Sequence, residues 1–181
     1  MINLKDLTAQ IKEQKKISVN SDLFNNSGIV DYYPEELVIT VKGGTKTSEI
    51  TKELDKNGQG LNFYLGKDRS IGALFASGDS NLSDSVLGVK ILDGKGRILN
   101  FGGQVMKNVA GYDVSRFLVG SEGKFGIILE ITFKVFPKKY ISNQTKPNRQ
   151  INQHPRIAGI IEDLRKVLTP MEFFLNADCK Y

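Results

Sequence analysis

Three glycine-punctuated stretches concentrate the residues of this sequence that could do chemistry. In the first, Gly102 to Asp113 (GGQVMKNVAGYD), glycines at both ends let backbone approach a partner closely, and Lys107, Asn108 and Tyr112 offer polar side chains. In the second, Gly120-Ser121-Glu122-Gly123-Lys124-Phe125-Gly126-Ile127, the glycines expose main-chain N–H groups ahead of a strand. That arrangement suits phosphate or a planar heterocycle, because main-chain donors need no side-chain clearance. The third, Ser70-Ile71-Gly72-Ala73-Leu74-Phe75-Ala76-Ser77-Gly78, is small-residued enough to lie against a flat ligand. Taken singly, each reads as a turn before it reads as a cradle. Several together weigh equally toward a nucleotide-like ligand. Gly43-Gly44-Thr45 has the spacing of neither the dinucleotide fingerprint nor the P-loop.

Other chemistry is thinly represented. His154 is the single histidine and stands beside Pro155 in a polar stretch, where it reads as a solvated surface residue. Cys179 is the single cysteine, which allows no internal disulfide and no multi-cysteine metal site, and it reads as inert. No metal centre is expected.

The elements that must position these stretches belong to a small chain. At 181 residues, with 40% hydrophobic and 25% charged residues and a mean hydropathy of -0.24, it reads as one soluble globular domain. There is no run of 18 apolar residues, which excludes a membrane-spanning helix, and the opening Met1 to Asp6 lacks the apolar core of a signal peptide. The net charge of +5 is local. Between Glu130 and Glu162 there are six basic residues and no acid; the remaining 19 basic residues balance 20 acidic ones. Phe136 and Tyr140 are the only aromatic residues among those charges, so a solvated linker accounts for them better than nucleic-acid binding does.

Leu4, Leu7 and Ile11 predict an amphipathic helix over 4–15, followed by a brief strand at 17–19 and turn formers at 21–28. Leu37 to Val41 reads as a strand. A helix from Thr47 buries Ile50 and Leu54 and stops at Asn57-Gly58. Residues 70–78 are compatible with a closely packed helix. Val86 to Leu92 and Arg97 to Phe101 flank Asp93-Gly94-Lys95-Gly96, a strong hairpin signal. Asp113 caps a short helix carrying Val114, Phe117 and Leu118 that stops at Gly120. Ile127 to Phe136 alternates as a half-exposed antiparallel strand ended by Pro137. Residues 138–155 read as a polar loop, and Ile157 to Leu168 as an amphipathic helix halted at Thr169-Pro170. Hairpins and short helices between strands give an α+β class.

The run GGQVMKNVAGYDVSRFLVGSEGKFGIILEITFKVFP, with Tyr33-Pro34-Glu35-Glu36-Leu37-Val38 and Leu87-Gly88-Val89 upstream, resembles the FAD-binding subunits of bacterial glycolate oxidases (glycolate dehydrogenases). These belong to the flavoprotein superfamily of vanillyl-alcohol oxidase and p-cresol methylhydroxylase (PCMH). The resemblance is firm over about residues 28–140 and loose over 157–181, where LRKVLTPMEFFLNADCKY is similar to the family's ending. It implies a PCMH-type FAD-binding domain of two small α/β subdomains over 1–140, a basic linker over 141–156, and a C-terminal helix and tail over 157–181 packing back on the domain.

The resemblance implies FAD contacts from Ser70, Ile71, Gly72, Ala73, Ser77, Gly78, Asn108, Gly120, Ser121, Gly123, Gly126 and Ile127. It implies hydride transfer from a small 2-hydroxy acid to FAD, with Tyr112 and Lys107 as weak candidates for the base, and no nucleic-acid partner. Flavin and iron–sulfur partner subunits follow from it, with a cytoplasmic location or a peripheral one at the inner membrane through those partners. Two departures stand out. Residues 17–28 (ISVNSDLFNNSG) lack the arginine-and-glycine-rich loop that wraps the FAD pyrophosphate, and the substrate region after Pro137 is replaced by the basic linker. A buried pyrophosphate without donors is costly, so the rival reading is a non-catalytic scaffold or assembly subunit that has lost stable FAD binding.

Overall fold

The computed structural model describes residues 4–13, 26–78, 81–104, 113–142 and 144. Its centre is a five-stranded antiparallel sheet formed by β1 (Ile29–Tyr33), β2 (Val38–Lys42), β4 (Val86–Leu92), β5 (Ile98–Gly102) and β6 (Ile127–Lys134), in the order β1-β2-β6-β4-β5. A second, two-stranded pairing joins β3 (Gln59–Gly60) to β7 (Phe136–Pro137). The mixture of antiparallel sheet and short helices is the α+β class expected from the sequence.

One face of the sheet makes the core. Ile39, Val41, Val89, Ile91, Ile131 and Phe133 pack there against Ile50 and Leu54 of α2 (Thr47–Asp55) and Leu74 and Phe75 of α3 (Ile71–Ser77). The β-branched run Val38-Ile39-Thr40-Val41 suits a pleated, covered surface. α2 ends as anticipated, with Gly58 in the left-handed region at φ 62°. The β4–β5 hairpin is tied by Asp93, whose fully buried carboxylate accepts from the Lys95 and Arg97 amides at 2.9 and 2.8 Å and from the Arg97 guanidinium. Asp113 does cap α4 (Val114–Phe117), accepting from the Arg116 amide at 3.1 Å. α1 (Leu4–Lys12) brings Lys12 beside Gly96 of that hairpin and buries Ile11.

The structure corrects the reading of β6. This strand is central, not half-exposed, and Thr132 on its polar face is buried, its hydroxyl 2.9 Å from that of Thr40. β6 also ends at Lys134; Phe136 and Pro137 leave the large sheet and pair with Gln59 and Gly60. β1 is not among the elements expected from the sequence, and Leu37, placed in a strand there, lies in the preceding turn at φ 58°. Beyond β7, Ile141 lies against Gly60, and the Gln144 side chain donates to Asn62 Oδ1 at 2.8 Å. The strand expected at 17–19 and the C-terminal helix and tail over 157–181 lie outside the described residues.

Candidate functional site

α3 is the element around which the candidate site is built. Ser70 is its N-cap, the hydroxyl accepting from the Ala73 amide at 3.3 Å, and Gly78 closes it at φ 59°. Its C-terminal half is joined to the Gly120–Ile127 turn by two main-chain bonds. The Gly120 amide donates to the Phe75 carbonyl at 2.9 Å and the Glu122 amide to the Ala76 carbonyl at 2.8 Å. Two of the three glycine-rich stretches therefore meet edge to edge.

The turn itself is shaped by left-handed residues: Gly120 at φ 75°, Glu122 at 53° and Gly123 at 74°. At Gly123 a Cβ would meet no heavy atom within 4 Å, so the main chain there faces open space. Gly126, at φ 149°, instead packs its backbone against Leu92, where a Cβ would stand 2.6 Å from the carbonyl oxygen. The side chains of Ile71 and Ile127 lie in the interior. Those two positions can offer a ligand their main chain only. Ser121 is also buried, while Gly72, Ala73 and Ser77 are half-buried. Lys107, Asn108 and Tyr112 lie outside the described residues, so the Gly102–Asp113 stretch is described only at its two ends.

The N-terminal end of α3 rests on a turn whose spacing in the sequence suggested no role. The Gly72 amide donates to the Gly43 carbonyl at 2.7 Å, the Ile71 amide to the Thr45 carbonyl at 2.8 Å, and the Thr47 amide to the Arg69 carbonyl at 3.0 Å. Gly43 is itself held on β6, its amide donating to the Leu129 carbonyl at 2.8 Å. Asn26 closes the same junction, donating to that carbonyl through Nδ2 at 2.6 Å and accepting from the Gly44 amide at 2.8 Å. No local pattern marks Asn26, Gly43 or Thr45, because their partners are remote in the chain.

Electrostatics enters where the same turn runs into α2. Lys46 is the N-cap but provides no side-chain cap; Asp68 does so from the following loop. Its carboxylate accepts from the Ser48 amide at 3.0 Å, the Ser48 hydroxyl at 2.9 Å and the Thr47 hydroxyl at 3.1 Å. The Ser48 amide, then its hydroxyl, hold the Asp68 carboxyl below the ordinary aspartate value. An open groove of about 410 Å³ beside α2 includes Thr47, Ser48 and Asp68, already bonded to one another, and none of the residues of the two glycine-rich walls.

With this geometry in place, similarity to known proteins becomes informative. Over 152 residues, 78% of its length, the chain is 39% identical to glycolate oxidase subunit GlcE of Escherichia coli (strain K12). Over 123 residues it is 31% identical to glycolate oxidase subunit GlcD of Bacillus subtilis (strain 168), and over 109 residues 28% identical to the mitochondrial D-lactate dehydrogenase [cytochrome] of Arabidopsis thaliana. The chain is homologous to the glycolate oxidase subunits and D-lactate dehydrogenases. It spans less than half of these relatives, 43%, 26% and 19% of their respective lengths. No protein-family model matches the chain. Its fold is that of part of alkyldihydroxyacetonephosphate synthase, with a TM-score of 0.57 at 18% identity, covering 74% of this chain and 29% of that enzyme. Among the described residues of the homologue, no helix is long and apolar enough to cross a membrane.

Proposed function

We propose that this chain is the FAD-binding part of a flavin-dependent 2-hydroxy-acid oxidoreductase of the glycolate oxidase type. The observation that carries the reading is the joining of α3 to the Gly120–Ile127 turn through Gly120 and Glu122. It sets two stretches of small residues side by side, and at Gly123 the main chain is open, with no heavy atom within 4 Å of where a Cβ would stand. The residues present therefore fit a planar heterocycle approached through backbone. Ser70, Gly72, Ala73, Ser77 and Gly78 form one wall, and Gly120, Ser121 and Gly123 the other, with Ile71 and Ile127 contributing main chain and Gly126 packing the end of the turn against Leu92. Asn108, in the Gly102–Asp113 stretch, offers an amide.

FAD, when bound, supplies the hydride acceptor for a small 2-hydroxy acid oxidised to the 2-oxo acid. The chain's own residues hold the cofactor and receive the substrate's hydroxyl proton; Tyr112 and Lys107, in their deprotonated forms, are the groups of the Gly102–Asp113 stretch able to take it. The two-subdomain PCMH-type arrangement, iron–sulfur and flavin partner subunits, and a cytoplasmic or peripheral inner-membrane location belong to the same proposal, supported by homology to the glycolate oxidase subunits.

The test is the visible spectrum of the purified chain after gel filtration, with and without added FAD. Retained flavin bands are the expected result. A chain that sheds FAD at every concentration tried overturns this reading in favour of a scaffold subunit that keeps the fold alone.

A further inference from the structure

Thr45 is fully buried and polar, and no glycine-rich wall contains it. Its hydroxyl makes a reciprocal pair with one residue, donating to the Gly28 carbonyl at 3.0 Å and accepting from the Gly28 amide at 2.9 Å. The Gly28 carbonyl has a second donor, the Lys42 amide at 3.0 Å. The amide has only the hydroxyl among the bonds of the described residues. The Thr45 backbone is engaged as well: its amide donates to the Lys42 carbonyl at 3.0 Å, and its carbonyl accepts from Ile71 at 2.8 Å. One residue thus joins the strand entering β1, the end of β2 and the first turn of α3.

We infer that Thr45 is a positioning residue for the candidate cofactor site, its hydroxyl locking Gly28 to the Gly43–Thr45 turn and so fixing the Ser70–Gly72 end of α3. The inference rests on the FAD-binding reading above. The chemistry favours it because removing the hydroxyl takes from the half-buried Gly28 N–H its one partner among the bonds of the described residues. A turn loosened there carries the Ile71 and Gly72 amide bonds with it. The far end of α3 keeps its own bonds from Gly120 and Glu122, so the effect is confined to one end of the wall.

The experiment uses the full chain with Thr45→Val, Thr45→Ser and, as a control of like chemistry, Thr132→Val, which removes a buried hydroxyl on the opposite face of the sheet. Two quantities are read: FAD affinity by fluorescence titration, and hydrogen exchange at the Ile71 and Gly72 amides without FAD. Thr45→Val is expected to weaken FAD binding about tenfold and speed exchange at both amides by a similar factor, as befits the loss of a reciprocal pair of part-buried hydrogen bonds. Thr45→Ser, which keeps the hydroxyl, restores both, and Thr132→Val moves neither. Should the valine variant not fold, Thr45→Ala carries the same comparison. Wild-type exchange at Ile71 and Gly72 in the valine variant, a serine variant behaving like valine, or an equal effect of Thr132→Val overturns the inference. A wild-type chain that takes up no FAD overturns the FAD-binding reading and with it the role of Thr45 toward that cofactor, while the exchange pattern still decides whether the lock exists.

Discussion

Gly72 and Gly43 meet backbone to backbone: the Gly72 amide donates to the Gly43 carbonyl, and a Cβ on Gly72 would stand 2.7 Å from that same oxygen. Gly72 lies inside α3, where alanine is intrinsically better than glycine by about 1 kcal/mol. Propensity and packing therefore oppose each other at this position. Packing wins, because the obstructing atom is main chain anchored on β6 through Leu129 and cannot rotate away. Gly72→Ala is expected to destabilise the chain by about 1–3 kcal/mol, the cost of an overpacked core position. Chemical denaturation measures it; a variant as stable as the wild type would mean that α3 can shift off the turn.

Asp68 governs the acid side of the stability profile of α2. Its pKa is depressed by the bonds from Ser48 and Thr47, so its contribution is present above the unfolded carboxylate pKa and lost as pH falls through the lower folded value. Thermal unfolding of Asp68→Ala is expected to show a lowered midpoint at neutral pH. The gap from the wild type should close as the solution is acidified below the ordinary aspartate range. A gap that stays constant with pH would assign the effect to lost packing and not to the ionised cap.

Local features were legible in the sequence, and relationships across the chain were not. The hairpin at Asp93-Gly94-Lys95-Gly96, the stop at Asn57-Gly58 and the cap at Asp113 are written in neighbouring residues, and each stands where it was read. β1 is hard to read because Ile29-Val30-Asp31-Tyr32-Tyr33 does not alternate, and its pairing with β2 also contains a register shift. The polar type of Thr132 gives no sign that it is buried, and its hydroxyl partner, Thr40, is 92 residues away. The glycine-rich stretches are visible as composition, whereas the Gly43–Thr45 junction has no local signature because its partners are Gly28, Ile71, Gly72 and Leu129.

The Thr40–Thr132 pair offers a test of how the polar face of the sheet is held. Removing one hydroxyl leaves the other buried without its partner, whereas removing both replaces the pair by methyl groups of similar size. Single Thr40→Val and Thr132→Val variants are expected to lose about 1 kcal/mol each, and the double variant less than the sum, since the penalty lies in the orphaned group. Additive losses in a denaturation cycle would mean that each hydroxyl is satisfied independently.

Gly123 and Gly126 separate the stability of the Gly120–Ile127 turn from its use as a binding wall. Both have positive φ, so alanine is strained at each, by roughly 1–2 kcal/mol. They differ in what the new methyl meets: open space at Gly123, and the Leu92 carbonyl oxygen at 2.6 Å at Gly126. Gly126→Ala is therefore expected to be the more destabilising, because clash with backbone adds to the strain. Gly123→Ala should lose only the strain in stability but a larger factor in FAD retention, since its methyl projects into the space the cofactor is proposed to fill. Parallel unfolding and FAD-titration curves for the two variants decide the matter. If Gly123→Ala binds FAD as well as its stability predicts, the open face at Gly123 is not the cofactor's wall.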